Sequence, residues 1–288
     1  MGPIGFIGVG AMGSAIAGRL VESCTLLVSD KNRAAADELV ARGATFASTD
    51  EIAATCDIVF LCLPGPAEVT ELVRGPDGLA TRLAAGSIVI DITTSTPVVD
   101  AEIAAALHER GIEYVDSPIA GGVRRAREGT AALMVGASPE TFAKVKDVLS
   151  TITSNVFHVG PLGTGHAMKL VNNLLNACNR FAALETVRLG EAAGLKRDVI
   201  IEVVNKSSGR NYATEHTFPQ LLSGESYVPQ EFTLDLMLKD VHLANELADS
   251  LDHPTPIGNM VEKFTEDAIA RFGARADQSQ MMAEWYDK

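Results

Sequence analysis

Along the first half of the chain, short apolar runs recur, and each is followed by a stretch of helical period. The runs are Pro3–Val9, Thr25–Ser29, Asp57–Leu63 (DIVFLCL), Ser87–Asp91 (SIVID) and Glu113–Asp116. Runs of this length without polar alternation fit buried strands, and strands alternating with helices imply a parallel sheet. Thr130–Val135 and Asn155–Val159 are expected to close it, with a helix over Glu140–Leu149 between them. After Gly163 the period changes to that of a helix and strands disappear. A heptad-like run of Leu, Ala and Val extends from His166 to Ala193, interrupted only by Gly190; as one helix it would span roughly 40 Å. Further helices are predicted at Asp198–Lys206, Tyr212–Leu222, Leu234–Ala248 and Ile257–Arg271. The chain therefore reads as two domains, α/β over residues 1–162 and all-helical over 163–288, joined by the long helix. That helix carries more apolar surface than the remaining helices can cover, which points to an interface between copies of the chain.

The first turn carries the first candidate chemistry. Gly8-Val9-Gly10-Ala11-Met12-Gly13 follows the first strand and opens a helix, and Asp30 stands at the end of the second strand. A glycine pattern in that context is a dinucleotide-binding signal. Gly8 permits the tight turn, Gly10 lets the backbone approach a pyrophosphate, and Gly13 lets helix and strand pack closely. Free N–H groups at the helix start, around Ala11 and Met12, then meet the phosphates. The first domain is thus expected to be a Rossmann-type, doubly wound sheet. Asp30 can accept hydrogen bonds from the adenosine ribose and would repel a 2′-phosphate, which favours NAD. Lys31 and Arg33 leave NADP open, because either could bind that phosphate if Asp30 turned away. Leu63, Pro64 and Thr94 lie at the carboxyl ends of later strands, where ligands of parallel sheets collect, and are candidates to line the nicotinamide half.

A second constellation sits where the pattern changes. Gly163-Thr164-Gly165-His166-Ala167-Met168-Lys169-Leu170-Val171-Asn172-Asn173 is a glycine turn opening into an apolar helix with one lysine and two asparagines. Residues three and four apart on a helix are neighbours, so Lys169 shares a face with Asn172 and Asn173. A lysine among apolar residues is partly desolvated, a setting that favours proton transfer near neutral pH. Taken alone, it fits a lysine on the wet side of an amphipathic helix as well. Upstream, Ser117-Pro118-Ile119-Ala120-Gly121-Gly122 ends in two glycines whose backbone N–H groups suit an oxyanion. Arg124, Arg125 and Arg127 after them read as a solvated face or a subunit contact rather than as ligands. In the helical half, Lys239-Asp240 lies in apolar surroundings, and Lys239 is a further candidate for the cofactor or an anionic group.

Bulk properties narrow the field. A net charge of −13 argues against nucleic acid. No apolar stretch approaches a membrane span, and no signal segment opens the chain. Cys24, Cys56, Cys62 and Cys178 lack metal or disulfide-framework spacing and read as small hydrophobes in a reducing cytoplasm. With no metal-ligand cluster in the spacing, metal-independent catalysis is expected.

Together the motifs resemble the β-hydroxyacid dehydrogenase family, which includes 3-hydroxyisobutyrate dehydrogenases, tartronate semialdehyde reductases and 6-phosphogluconate dehydrogenase. The likeness rests on GFIGVGAMG, DSPIAGGVRRAREGT, GTGHAMKLVNN, LMLKD and the terminal ADQSQMMAEWY, in that order along essentially the whole chain. It implies a Rossmann domain joined to an all-α domain, a homodimer or homotetramer, and an NAD(P)-dependent reaction that interconverts a small anionic hydroxy acid and its aldehyde or ketone. By that resemblance Lys169 is the general acid/base, and Asn172 or Asn173 holds the substrate. Lys239 lies near the nicotinamide, with Leu63, Pro64 and Thr94 among the cofactor contacts. Similar sequences carry serine where this chain has Ala120, and that hydroxyl helps to bind the substrate's carboxylate. The departure keeps a related reductase of another C=X group in play, an unusual phosphonate or sulfonate ketone or an imine. A third reading is a non-catalytic dinucleotide-binding module.

Overall fold

The structure, a computed structural model, describes residues 2–222 and 229–285. By contact the chain divides into two compact units, Met1–Lys169 and Leu170–Lys288.

The apolar runs of the first unit become strands β1 (Ile4–Ile7), β2 (Leu26–Ser29), β4 (Ile58–Leu61), β5 (Ile88–Asp91) and β6 (Glu113–Asp116). Two-residue strands β3 (Thr45–Phe46) and β7 (Ile119–Ala120), with β8 (Ala132–Gly136) and β9 (Asn155–Gly160), complete one sheet. Its order is β3-β2-β1-β4-β5-β6-β8-β7, with β9 on the far side of β8. All pairings from β3 to β6 are parallel, while β8 runs antiparallel to β6 and β7 and parallel to β9. β3 and β7 were not legible as apolar runs, because each is too short to show a pattern.

Why these strands lack alternation is visible in where each residue goes. Ile4, Phe6, Val28, Phe60 and Ile90 enter one core layer, while Ile7, Val59, Leu61 and Val89 enter the other. Both faces are covered, so both sets must be apolar. The covering helices are α1 (Ala11–Leu20), α2 (Asp37–Ala41), α3 (Thr49–Thr55), α4 (Pro66–Arg74), α5 (Leu79–Arg82), α6 (Pro97–His108), α7 (Gly122–Arg127) and α8 (Pro139–Ile152). Their starts follow local rules. Ser48 and Glu51 form a reciprocal capping box on α3, the Thr96 and Ser138 side chains cap α6 and α8, and a proline opens α4, α6 and α8.

Helix α9 (Thr164–Ala192) begins in the first unit and runs on into the second. The second unit adds α10 (Arg197–Asn205), α11 (Phe218–Leu222), α12 (Leu234–Ser250), α13 (Pro256–Phe272) and α14 (Gln278–Glu284). Phe181, Leu184, Val187, Met237, Val241 and Val261 build its core. The helix expected over Tyr212–Leu222 is not continuous: Ala213–Thr217 is wound as a π-turn before α11. The Phe218 N–H donates to the Ala213 carbonyl there, and Pro219, which has no N–H, follows in α11. Helix α14 gave no long apolar signal and is started by the Asp277 side chain, which accepts from the Ser279 N–H. Tyr286, the last residue of the terminal motif, lies outside the described residues. The fold is therefore a Rossmann-type parallel sheet followed by a helical unit with the long helix α9.

Candidate active site

The sheet order reverses between β1 and β4, and the glycine turn sits at that crevice. Gly8 has φ +95, and a Cβ there would lie 2.2 Å from the Cys62 carbonyl oxygen. A Cβ on Gly13 would lie 1.9 Å from the Gly8 carbonyl oxygen. A Cβ on Gly10 would meet nothing within 4 Å, so the exposed face of the turn is open. Two glycines are thus consumed by packing and one leaves a cradle, which fits a pyrophosphate above the start of α1, where Ala11 and Met12 lie. Asp30 braces the turn: Oδ2 accepts the Val9 N–H at 2.8 Å, and Oδ1 accepts the Asn32 N–H at 2.8 Å. Arg33 pairs with Asp37 and stacks over Phe46, and Lys31 is exposed.

The next strand ends are linked in series. The Asp91 Oδ1 accepts the Thr93 N–H at 2.8 Å, and the Thr93 hydroxyl accepts the Leu63 N–H at 3.0 Å. Leu63 closes on the glycine turn, its side chain 3.0 Å from the Gly8 Cβ position, while Pro64 is exposed and Thr94 half-buried. Thr93 was not singled out from the sequence; it holds Leu63 in place from inside the sheet.

At the end of β6 the structure assembles a group that the sequence pattern had not joined. Asp91 and Asp116 pair across β5 and β6, Asp100 lies on the first turn of α6, and His166 on the first turn of α9, all wholly buried. The His166 Nδ1 lies 2.8 Å from each carboxylate oxygen of Asp100. The Tyr114 hydroxyl donates to Asp91 at 2.9 Å and lies 3.3 Å from Asp100. Asp116 accepts the Gly163 N–H on Oδ1 at 2.8 Å and the His166 N–H on Oδ2 at 2.9 Å. Burial alone would lower the His166 pKa, but the charge and hydrogen bond of Asp100, with Asp91 and Asp116 behind them, hold it at about 9. Burial pushes Asp116 up, the His166 cation and the two N–H bonds pull it down, Asp100 pushes it up again, and it settles at about 6. Ligand-type atoms of Asp100, Asp116 and His166 lie within 4.8 Å of one another. In the structure these side chains hydrogen-bond to one another and to the backbone N–H groups of Gly163 and His166. The sequence shows an aspartate closing each of SIVID and EYVD and a histidine opening the long helix, without showing that they meet.

Lys169 lies on the next turn of α9. Its Nζ donates to the Ile119 carbonyl at 2.7 Å, which puts the ammonium beside the Ala120-Gly121-Gly122 stretch. Gly121 and Gly122 have φ +131 and +75, conformations reserved for glycine, and the Cβ position of Gly122 is open. Ala120 is half-buried and pairs with Ala132 of β8. Arg124 makes a long, exposed pair with Glu128, and Arg125 donates to the Thr130 carbonyl.

In the second unit, the Asn172 amide donates to Asn173, and Asn173 donates to Asp240 at 2.6 Å. Lys239 pairs with the same Asp240 at 2.9 Å. The two asparagines and the Lys239-Asp240 pair, read separately along the chain, thus form one polar group within the helical unit.

Residues 3–160 match a family model described as the NAD binding domain of 6-phosphogluconate dehydrogenase. Residues 163–285 match one described as the NAD-binding of NADP-dependent 3-hydroxyisobutyrate dehydrogenase. The chain is 37% identical to the 2-(hydroxymethyl)glutarate dehydrogenase of Eubacterium barkeri, over 98% of this chain and 94% of that one. The chain belongs to the β-hydroxyacid dehydrogenase family. Its likeness to the NAD-dependent L-serine dehydrogenase of Pseudomonas aeruginosa is 35%, covering 90% of both chains. A solved 3-hydroxyisobutyrate dehydrogenase of Mycobacterium tuberculosis, with L-serine, superposes with a TM-score of 0.88 at 26% identity and 99% coverage of both. As a β-hydroxyacid dehydrogenase, the protein is an NAD(P)-dependent oxidoreductase acting on CH–OH groups. Among the described residues, no helix is long and apolar enough to cross a membrane.

Proposed function

We propose that the protein interconverts a small 3-hydroxy acid and its aldehyde, with Lys169 as the general acid/base. The observation that carries this reading is the Lys169 ammonium, held 2.7 Å from the Ile119 carbonyl beside two positive-φ glycines. The substrates in the relatives' names, 2-(hydroxymethyl)glutarate and L-serine, share a hydroxymethyl group on the carbon next to a carboxylate. In this chain the Gly121 and Gly122 amides hold that carboxylate, and Asn172 or Asn173 orients the substrate. A bound nicotinamide supplies or accepts the hydride. The chain's own part is the proton: Lys169 donates it to the carbonyl oxygen as charge develops there, or removes it from the alcohol in the oxidative direction.

Asp30 supports NAD over NADP. Both carboxylate oxygens are fixed by backbone N–H groups, so the charge cannot swing away from an incoming 2′-phosphate. We assign Leu63, Pro64 and Thr94 to the nicotinamide half, and keep Lys239, which pairs with Asp240, as a further candidate cofactor contact. Ala120 supports a substrate whose anionic end needs no hydroxyl donor at this position, and it keeps a phosphonate or sulfonate analogue as the second reading. The protein works as a homodimer or homotetramer.

Lys169→Ala tests the assignment. Turnover should fall by about 10²- to 10⁴-fold while NAD(H) binding is retained. Unchanged turnover with 3-hydroxyisobutyrate, L-serine or 2-(hydroxymethyl)glutarate, whichever the wild type accepts, sinks the role given to Lys169.

A further inference from the structure

A lysine that transfers protons must be held in place, and Lys169 sits on a helix whose own N-cap, Gly163, has no side chain to cap it. The first backbone N–H groups of a helix need acceptors from elsewhere. Here they find one across the fold. The carboxylate of Asp116, 0% exposed at the end of β6, takes the N–H groups of Gly163 and His166 at 2.8 and 2.9 Å. Its surroundings are shaped around this contact. A Cβ on Gly136 would lie 2.3 Å from Oδ1 of Asp116, and one on Gly165 would lie 2.7 Å from Oδ2 and 2.4 Å from the Met134 carbonyl oxygen. One turn later, Lys169 returns the connection by donating to Ile119, three residues after Asp116. The segment Asp116–Ile119 and the first turns of α9 are therefore tied at both ends.

We propose that Asp116 is a positioning residue for Lys169: its carboxylate fixes the start of α9, and so sets where the ammonium meets the Ile119 carbonyl and the substrate. This rests on Lys169 being the proton-transferring group. Protonating Asp116 turns one oxygen into a donor, and the oxygen that becomes O–H releases its N–H partner. The groups facing Asp116 are the His166 cation from α9, Asp100 from α6, Asp91 from β5 and Tyr114 from its own strand; β8 presents no charge to it. With its pKa raised to about 6, Asp116 loses its charge as pH falls through that value. The signs then separate two roles. A carboxyl with a raised folded-state pKa stabilises the fold as pH falls through that value, so stability rises while the cap weakens. Turnover that depends only on fold integrity would not fall there. Turnover that depends on the cap would.

The experiment uses the full chain, with carbonyl reduction read at saturating cofactor and substrate. In that direction the ammonium is the active form of Lys169, so its own titration cannot produce an acid limb. Wild-type kcat should fall as pH drops through about 6, with melting temperature unchanged or higher. Asp116→Asn, near neutral pH, should lower kcat by about 10- to 100-fold with little change in KM, the scale of loss expected from about 1 Å of misplacement. The same substitution in a Lys169→Ala background should change the residual rate less than about twofold. An equal loss in both backgrounds overturns the proposal, because Asp116 would then act without Lys169. Wild-type kcat that is flat from pH 7 to 5 also overturns it, and this measurement stands if Asp116→Asn does not fold. Lys169→Ala with wild-type turnover overturns the assignment of Lys169 itself, and is recognised as such before Asp116 is considered.

Discussion

At the scale of a residue, His166 shows how strongly neighbours can override burial. An imidazole with no solvent exposure would ordinarily be neutral, yet three aspartates hold it charged to about pH 9. Since its folded-state pKa lies above its unfolded value of about 6.5, the stability it contributes is complete below that value and is lost as pH rises through about 9. Asp116 acts with the same sign lower down, between its unfolded value and about 6. Thermal melts of the wild type should therefore decline from pH 6.5 to 9.5, by up to roughly 3 kcal/mol for the histidine at full effect. His166→Gln removes that slope; a slope that survives the substitution would show the histidine to be neutral in the folded protein. The pair was not readable in advance. His166 appears in the sequence as one letter in a glycine-rich helix start, sixty-six positions from Asp100.

At the scale of an element, the start of α9 is tightly constrained by the sheet beneath it. Gly163 takes φ +87, and Gly165 gives room for Asp116 and the Met134 carbonyl. Gly165→Ala should destabilise the first unit by about 2 kcal/mol or more, since both obstructing groups are fixed in the sheet. Because the same clash displaces the first turn of α9, turnover should fall more steeply than the melting temperature predicts; circular dichroism melts beside steady-state rates would separate the two. Normal stability and rate in this variant would mean that the helix start shifts freely. The glycine turn at Gly8–Gly13 behaves differently. Its role was legible in the sequence because strand, turn and helix are local to one another, and each glycine's task follows from that local geometry. The π-turn at Ala213–Thr217 marks the opposite case, where the continuous helix expected over Tyr212–Leu222 is interrupted.

At the scale of the molecule, the helical unit leaves a line of apolar side chains on α9. Val171, Leu175 and Leu189 are exposed by 56%, 61% and 69%. Residues 171 and 175 are one turn apart, and 189 follows near the same face four turns on. A second copy is the occupant we propose for these exposed side chains. Leu175→Glu combined with Leu189→Glu should shift the mass measured by light scattering toward one chain; an oligomer that persists unchanged would place the interface elsewhere.

What the sequence determined by itself was whatever depends on near neighbours: buried strands, helical periods, the dinucleotide turn, and the lysine with its asparagines on one helix. Those follow from short-range sterics and from the need to bury apolar faces. What only the tertiary structure decided was how distant polar groups met. Asp91, Asp100, Asp116 and His166 come from four elements, and only their closure into one buried cluster fixes which partners and backbone groups they hold. Asn173 likewise gained Asp240 as its partner through packing within the helical unit. Electrostatics in a low-dielectric interior depends on distances that close in folding, and sequence separation does not encode them.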